Sequence, residues 1–157
     1  IGPIIILILL MATAHSSIRS IIDPKELECM SLNLYHESRN ESTAGNFLVG
    51  FTVLNRVRSD QFPNTICEVI KQGLHKGGHP IRNRCQFSWY CDGINDVPRN
   101  LRAYDRSKYL AEWLLLAKDW LVDLSDGSLY YHAYYVSPKW SKVRKKTVQV
   151  DSHIFYK

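Results

Sequence analysis

The stretch DPKELECMSLNLYHESRNE, residues 23–41, decides how the chain begins to fold. Its apolar side chains recur at spacings of three and four, which is the pattern of a helix with one buried face. Asp23 suits the helix cap, Pro24 suits the first helical position, and Glu26 completes a capping box. We therefore predict a helix that runs from these residues to about Glu37.

Glu37 continues the apolar face that Leu27, Met30 and Leu34 form. A carboxylate on an apolar face is costly to ionise, so we expect the pKa of Glu37 to be raised. A carboxyl group that is still protonated near neutral pH is what general-acid cleavage of a glycosidic bond requires. The alternative is a Glu at a helix end that points to solvent or pairs with Arg39.

More helices are predicted after this one. A second helix should start at Ser42 or Thr43, with one face made of Phe47, Phe51, Leu54 and Val57. Thr65 and Glu68 form a capping box for a short helix that continues through Ile70. Residues 73–100 are rich in glycine and proline and show little periodicity, so we predict a long irregular segment.

A long helix is predicted from about Asp105 to Leu124, ended by a turn at residues 125–128. Its apolar stripe is interpreted as core, and consists of Tyr109, Trp113, Leu116, Trp120 and Leu124. Short strands follow at residues 129–136, 148–150 and 153–156. Helices followed by a small terminal sheet predict a mainly helical α+β domain with a small C-terminal antiparallel sheet.

The length of 157 residues suits one domain with a real core, and the composition does not indicate disorder. The formal net charge of +5 favours anionic partners, which include nucleic acid, acidic lipid and polyanionic cell wall. Charge alone does not choose among them.

Residues 1–17 differ from the rest, because the run from Ile4 to Met11 is almost wholly aliphatic and no formal charge precedes Arg19. This run is too short to span a bilayer and resembles the apolar part of an export signal, followed by a small-residue cleavage pattern at residues 12–14. The alternative is a short membrane-anchoring or buried segment. The chain begins with Ile and lacks a basic leader, so we expect a truncated start. The predicted domain is 18–157.

The chain has four cysteines, Cys29, Cys67, Cys85 and Cys91. An even number of cysteines in an exported chain predicts disulfides, with three possible pairings. We expect at least one disulfide to involve Cys85 and Cys91, which would fasten the irregular segment. A zinc site is disfavoured because no C-x-x-C pair occurs.

Several short blocks occur in order along the chain: YHESRNE (35–41), VLNRV (53–57), FPNTIC (62–67), CQFSWYCDG (85–93), YYH (130–132) with Pro138 and Trp140 after it, and HIFY (153–156). With these blocks, the chain from about residue 26 onward resembles the catalytic domain of the SleB-type cell wall hydrolases. Any one block is weak support, whereas the set in order at compatible spacing is specific.

The resemblance implies a lysozyme-like domain that cuts the peptidoglycan glycan strand between N-acetylmuramic acid and N-acetylglucosamine. The acid that this family needs falls on Glu37. The chain departs from the family pattern at His36, Ser38 and Asn40. It also has Asp151 near the place where the family usually has a glycine before its last block. A titrating His36 ring beside the acid would be able to tune it.

The candidate substrate-binding residues are Glu41, Gln86, Phe87, Ser88, Tyr131 and His132. Each has a structural alternative. Glu41 either orders the site or pairs with Arg39 or Arg56. Gln86 and Ser88 either bind sugar groups or stabilise a loop turn. The rings of Phe87, Trp89 and Tyr131 either stack on sugars or pack in the core. His132 is interpreted as a structural hydrogen-bonding residue rather than a base.

The mechanism expected from one compelling acid is that of a lytic transglycosylase, in which the C6 hydroxyl of the sugar captures the cation. Water in that role would make the enzyme a muramidase. Two rivals are a secreted carbohydrate-binding module and a basic nucleic-acid-binding protein or nuclease, and the export segment argues against the latter. We expect no cofactor, metal, nucleic acid or stable protein partner.

The last expectation concerns a basic run near the C-terminus, formed by Lys142, Arg144, Lys145 and Lys146. It is interpreted as a solvated face that attracts anionic cell wall polymers.

Overall fold

The computed structural model describes residues 21–157, so the predicted export segment at residues 1–17 lies outside the described residues. The described chain forms helices α1 (Pro24–Ser38), α2 (Thr43–Arg58), α3 (Ile66–Ile70) and α4 (Leu101–Ala117). Its strands are β1 (Gly73–Lys76), β2 (His79–Cys85), β3 (Tyr130–Ala133), β4 (Lys146–Val150) and β5 (His153–Tyr156). Short 3₁₀ segments lie at Ser88–Cys91 and Lys139–Lys142.

The first three helices begin where local capping chemistry predicts. Asp23 Oδ1 accepts a hydrogen bond from Lys25 N at 2.8 Å, and the Ser42 hydroxyl accepts one from Gly45 N at 3.1 Å. Thr65 caps α3. Side-chain oxygens of this kind satisfy amide groups that have no partner within a helix.

Glu26 does not complete the capping box at the start of α1. Its carboxylate instead accepts hydrogen bonds from Ile66 N at 2.6 Å and Cys67 N at 3.3 Å, so it caps the start of α3. A negative charge is favourable at either helix N-terminus, and only the tertiary packing of α1 against α3 decides which of them Glu26 reaches.

The prediction for the fourth helix was wrong in its bounds and its buried face. α4 begins at Leu101, capped by Asn100, and ends at Ala117. Its buried residues are Ser107, Leu110, Ala111 and Leu114. The predicted core stripe is exposed, with Tyr109, Trp113 and Trp120 at 59%, 52% and 91% exposure.

The reason is steric. α4 carries a second stripe of smaller side chains, and these permit close packing against α1 and α2. A Cβ atom placed on Gly50 of α2 would lie 2.2 Å from Leu114 Cδ2, so the two helices approach closely there. Large aromatic rings in that position would hold the helices apart.

Residues 73–100 are not wholly irregular, which corrects a second prediction. β1 and β2 form an antiparallel hairpin in which Lys76 pairs with His79. Gly77 and Gly78 make the turn with φ of 58° and 78°. A two-residue hairpin turn with positive φ at both positions favours glycine, and this Gly-Gly pair is the signal that the periodicity argument missed.

The C-terminal strands form the small antiparallel sheet that was predicted, and their order is β3-β5-β4. Phe155, in the central strand, is fully buried and joins the core that the helices build. The sheet therefore packs against the helices, which confirms the mainly helical α+β class. Its β3 and β5 face lies opposite the C-terminal ends of α1 and α2.

All four cysteines are paired, which confirms the prediction of disulfides. Cys29 of α1 is bonded to Cys67 of α3, and Cys85 is bonded to Cys91 across the segment after β2. Within residues 21–157, no helix combines the length and apolar character needed to cross a membrane.

Candidate active site

Glu37 lies in the last turn of α1 and is half-buried in a cavity of about 420 Å³. The cavity is enclosed by the ends of α1 and α2, the segment after β2, and strands β3 and β5. Its lining residues are His36, Glu37, Arg56, Gln86, Phe87, Ser88, Tyr131, His132, Ala133, Tyr135, Val136 and His153. The structure thus brings together all the candidate residues except Glu41, from three separate blocks.

Tyr131 contacts the Glu37 carboxyl group directly. Its hydroxyl donates a hydrogen bond to Glu37 Oε2 at 2.8 Å. Burial raises the pKa of Glu37, while the Tyr131 hydrogen bond and the positive charge of Arg56 lower it by less. Burial and the neighbouring Glu37 charge raise the pKa of Tyr131 well above its usual value, so this hydroxyl stays a donor. The direction expected from the sequence for the pKa of Glu37 is therefore confirmed.

Arg56 brings a buried cation to the same cavity from the end of α2. The side chain is 5% exposed, and its Nε donates to the backbone oxygen of Leu129 at 2.8 Å. The guanidinium carbon lies 5.0 to 5.7 Å from the ring centroids of Phe62, Phe87 and Tyr130. Within the described chain, its Nη1 has no hydrogen-bond partner. Burial lowers the pKa of Arg56, and the neighbouring acidic groups oppose that effect.

A buried polar network fixes the end of α1 and with it the position of Glu37. The Ser38 hydroxyl donates to Asn46 Oδ1 at 3.0 Å, and Asn46 Nδ2 donates to the backbone oxygens of Ser38, Glu41 and Ser42. Asn46 is completely buried. Because these bonds satisfy the last carbonyl group of α1 and two carbonyl groups of the loop that follows, the backbone beside Glu37 has one defined course.

Glu41 lies outside the main cavity and lines an adjoining one of about 180 Å³. Its carboxylate accepts hydrogen bonds from the Ser152 backbone N at 3.0 Å and from the Ser152 hydroxyl. It therefore joins the loop after α1 to the β4–β5 turn, and the ion pair with Arg39 or Arg56 considered from the sequence is not formed.

The β4–β5 turn itself contains Asp151, which has a φ of 49°. Asp is among the few residues that tolerate this left-handed conformation, so the turn keeps the geometry that glycine would give. The Asp151 carboxylate also accepts hydrogen bonds from Ser42 N at 2.9 Å and Ser42 Oγ at 2.6 Å. The turn is thereby tied to the start of α2.

Gln86, Phe87 and Ser88 form one wall of the cavity. Gln86 and Ser88 are exposed, whereas Phe87 is buried in the core and packs beneath the Arg56 guanidinium. Gln86 N donates to the backbone oxygen of Gln72 at 2.9 Å, which ties this wall to the chain before β1. The side chains of Gln86 and Ser88 are therefore available to a ligand, and Phe87 supports them from below.

The histidines of the cavity have different surroundings. His132 Nδ1 donates to the Ala133 backbone oxygen at 2.8 Å, and its Nε2 lies 2.9 Å from the Tyr156 hydroxyl. These contacts agree with a structural role. His36 stacks on Trp89 with ring centroids 4.5 Å apart. His153 is buried with no partner for Nδ1 in the described part of the chain, and burial lowers its pKa.

Two further cavities join the main one. The cavity with Glu41 shares His36, Glu37, Ala133, Tyr135 and His153 with it. A third cavity, of about 290 Å³, shares Arg56, Gln86, Tyr131, His132 and Val136 and extends to Pro138 and Trp140. We call these three cavities together the cleft. Glu37 lies within it rather than at an end, which suits a linear ligand that extends in both directions.

Arg56 and His153 are the site residues that sequence reasoning did not select. Both carry the signal that was used for Glu37. Arg56 follows Val49, Thr52 and Val53 on a buried face at helical spacing. His153 alternates with buried Phe155 along a strand. A polar residue on an apolar face was present in each case.

A family model described as Cell Wall Hydrolase matches residues 40–156, a range that begins just after Glu37. The fold is similar to the catalytic domain of the germination-specific lytic transglycosylase SleB from Bacillus anthracis, with 28% identity and a TM-score of 0.63 over 87% of this chain and 97% of that chain.

The catalytic domain of the Bacillus cereus SleB protein is similar as well, with 26% identity and a TM-score of 0.60 over 86% of this chain and 91% of that one. Comparison with curated protein sequences gave no match. The lysozyme-like fold and the resemblance to SleB-type enzymes expected from the sequence are confirmed. The family match covers most of the described residues, and the chain belongs to the Cell Wall Hydrolase family.

Proposed function

We propose that this protein cleaves the glycan strand of peptidoglycan between N-acetylmuramic acid and N-acetylglucosamine, with Glu37 as the general acid. The observation that carries the proposal is a carboxyl group with a raised pKa in the middle of an extended cleft. Family membership and the similarity to a lytic transglycosylase catalytic domain support the substrate class.

The first step is proton transfer. Tyr131 donates to Oε2 of Glu37, which leaves Oε1 to carry the acidic proton. Glu37 gives this proton to the glycosidic oxygen as the bond between that oxygen and C1 breaks toward an oxocarbenium-like state. The carboxylate that remains is stabilised by the Tyr131 hydrogen bond and by the charge of Arg56, both already in position.

The second step is the capture of the oxocarbenium-like cation, and the surroundings of Glu37 favour the route of a lytic transglycosylase. Apart from Glu37, the main cavity has no carboxylate among its described lining residues. The nearby acids Glu41 and Asp151 are held by Ser152 and Ser42. The C6 hydroxyl of the sugar would therefore attack C1 and return its proton to Glu37, forming a 1,6-anhydro sugar. Attack by water at C1 would make the enzyme a muramidase.

Digestion of purified sacculi tests the proposal, with mass spectrometry of the released fragments. Anhydro-muramic ends are expected from a transglycosylase, and reducing muramic ends from a hydrolase. A preparation that binds sacculi but releases no fragment would contradict the proposal and favour a carbohydrate-binding module.

A Tyr131→Phe variant should shift the pH dependence of cleavage. The general acid works while protonated, so activity falls as pH rises through the pKa of Glu37. The Tyr131 hydroxyl lowers that pKa, and its removal should move the alkaline limb of the kcat profile to higher pH. Rates measured across a pH series on soluble glycan fragments check this. A limb that moved to lower pH would contradict the assigned role of Tyr131.

Export is supported by the two disulfides, which form in oxidising compartments, and by membership in a cell wall hydrolase family.

The basic run is proposed to attract anionic wall polymer, with one change from the sequence interpretation. Lys142, Lys145 and Lys146 are exposed, whereas Arg144 is half-buried and its guanidinium carbon lies 3.4 Å from the Tyr130 ring centroid. Arg144 belongs to the packing beside the cleft.

Replacement of Lys142, Lys145 and Lys146 by Gln should therefore raise the KM on whole sacculi. The KM of this variant should also change less with salt concentration than that of the wild type. None of these lysines lines the cleft, and exposed charges are screened beyond a Debye length of about 8 Å at physiological ionic strength, so chemistry at Glu37 should be nearly unchanged. Turnover on short soluble glycan fragments is the control measurement. A large loss of kcat on those fragments would place this run inside the active site.

A further inference from the structure

A separate cavity of about 470 Å³ opens beside the cleft and is not used by the proposed reaction. His36 and Arg39 line both this cavity and the part of the cleft that contains Glu37. The rest of its wall comes from Tyr35, from Trp89 and from the loop at residues 92–100. We call it the side cavity. It adjoins the cleft at His36, which lies in the same helical turn as the proposed catalytic acid.

The walls of the side cavity are tied together by hydrogen bonds. The Tyr35 hydroxyl accepts from the backbone N–H groups of Arg99 and Asn100, each at 3.2 Å. His36 Nε2 donates to the Asp96 backbone oxygen at 2.9 Å. These bonds fasten the loop to α1 at two points, so the cavity is a formed feature of the fold.

Charges of both signs line the side cavity. Arg39 is held in place because its guanidinium carbon lies 4.9 Å from the Tyr35 ring centroid and its Nη1 donates to the Tyr35 backbone oxygen at 3.1 Å. Arg99 adds a second exposed cation, while Asp92 and Asp96 contribute carboxylates. A wall of this composition complements a ligand that has both carboxylate and ammonium groups.

We propose that the side cavity binds the peptide stem that a peptidoglycan strand carries on its muramic acid residues. This inference rests on the proposed function. The peptide branch of a strand in the cleft needs space beside the glycan, and the side cavity is a formed space that adjoins the cleft next to Glu37. Such a stem has free carboxylates and, at its diamino acid, an ammonium group. The volume lies within the range of about 300–1,000 Å³ that is usual for small-ligand sites.

The test compares two soluble substrates of equal glycan length. One carries stem tripeptides that end in a diamino acid with free carboxylates, and the other has been stripped of peptide by an amidase. We expect the wild-type KM to be about three- to tenfold lower on the peptide-bearing substrate, as one or two charge-assisted contacts would give. Arg99→Glu should remove this difference by raising KM on the peptide-bearing substrate alone.

Arg102→Glu is the matched control, because Arg102 is an exposed arginine nearby on α4 that lines none of these cavities. Thermal unfolding of both variants checks that they remain folded. Equal wild-type KM on the two substrates would overturn the inference, and so would an Arg102→Glu effect as large as that of Arg99→Glu. Failure to cleave either substrate would contradict the proposed function itself.

Discussion

Replacement of Glu37 by Gln is expected to abolish nearly all cleavage while the protein stays folded. Gln has almost the same shape and accepts the Tyr131 hydrogen bond, but it has no proton to give to the glycosidic oxygen. Loss of a general acid costs about 10²–10⁴-fold in rate. The measurement is kcat on soluble glycan fragments. Glu28→Gln is the matched control, because Glu28 is an exposed glutamate on the same helix.

The same variant should be more stable than the wild type at high pH. Burial raises the pKa of Glu37, so the stability that its protonated form contributes is present at low pH and lost as pH rises through that raised pKa. Gln cannot ionise. We expect the Tm of Glu37→Gln to exceed that of the wild type at about pH 8 and to match it near pH 4, where a carboxyl with a raised pKa is protonated.

Two results would contradict this assignment. One is a Glu37→Gln rate above about a tenth of the wild-type rate, since a lost general acid costs far more. The other is a Tm that falls at every pH, which would mean that Glu37 stabilises the fold as an ordinary ion-paired carboxylate. Our assignment predicts instead that ionised Glu37 lowers the stability of the fold, as catalytic groups often do.

Local chemistry made the helix starts predictable from the sequence. Asp23, Ser42 and Thr65 each bond an amide group a few residues away, and such bonds depend on neighbouring residues alone. Glu26 and the buried face of α4 were mistaken for the opposite reason. Glu26 caps a helix that starts forty residues later, and α4 had two apolar stripes of which only packing against α1 and α2 selects one.

The candidate site also has one part that local sequence predicts and another that depends on tertiary packing. Glu37 was found because one helix holds the whole signal, namely an acid on an apolar face. The partners that give it chemistry come from elsewhere, since Tyr131 reaches it from β3 and Arg56 from α2. Their proximity depends on how the sheet packs over the helix ends. A sequence pattern can mark a polar residue on an apolar face, but only the tertiary fold brings such residues from different elements together.

Replacement of Arg56 by Ala is expected to lower the free energy of unfolding by about 3–5 kcal/mol. Three losses combine in this variant. Leu129 loses the hydrogen bond to its carbonyl oxygen, the rings of Phe62, Phe87 and Tyr130 face an empty space, and ionised Glu37 loses a neighbouring positive charge. Denaturant unfolding with a fixed m-value measures the change.

Arg58→Ala provides the control, because Arg58 lies two residues further on α2 with its side chain 48% exposed and forms a surface ion pair with Asp119. A surface pair of this kind contributes up to about 1 kcal/mol. Arg56→Lys separates charge from packing, since it keeps the cation near Glu37 but cannot reproduce the planar contact with three rings. If Arg56→Ala cost no more than Arg58→Ala, then the buried guanidinium would not support the cleft. If instead Arg56→Lys recovered stability but not kcat, then the planar geometry of Arg56 would matter for the reaction and not for the fold.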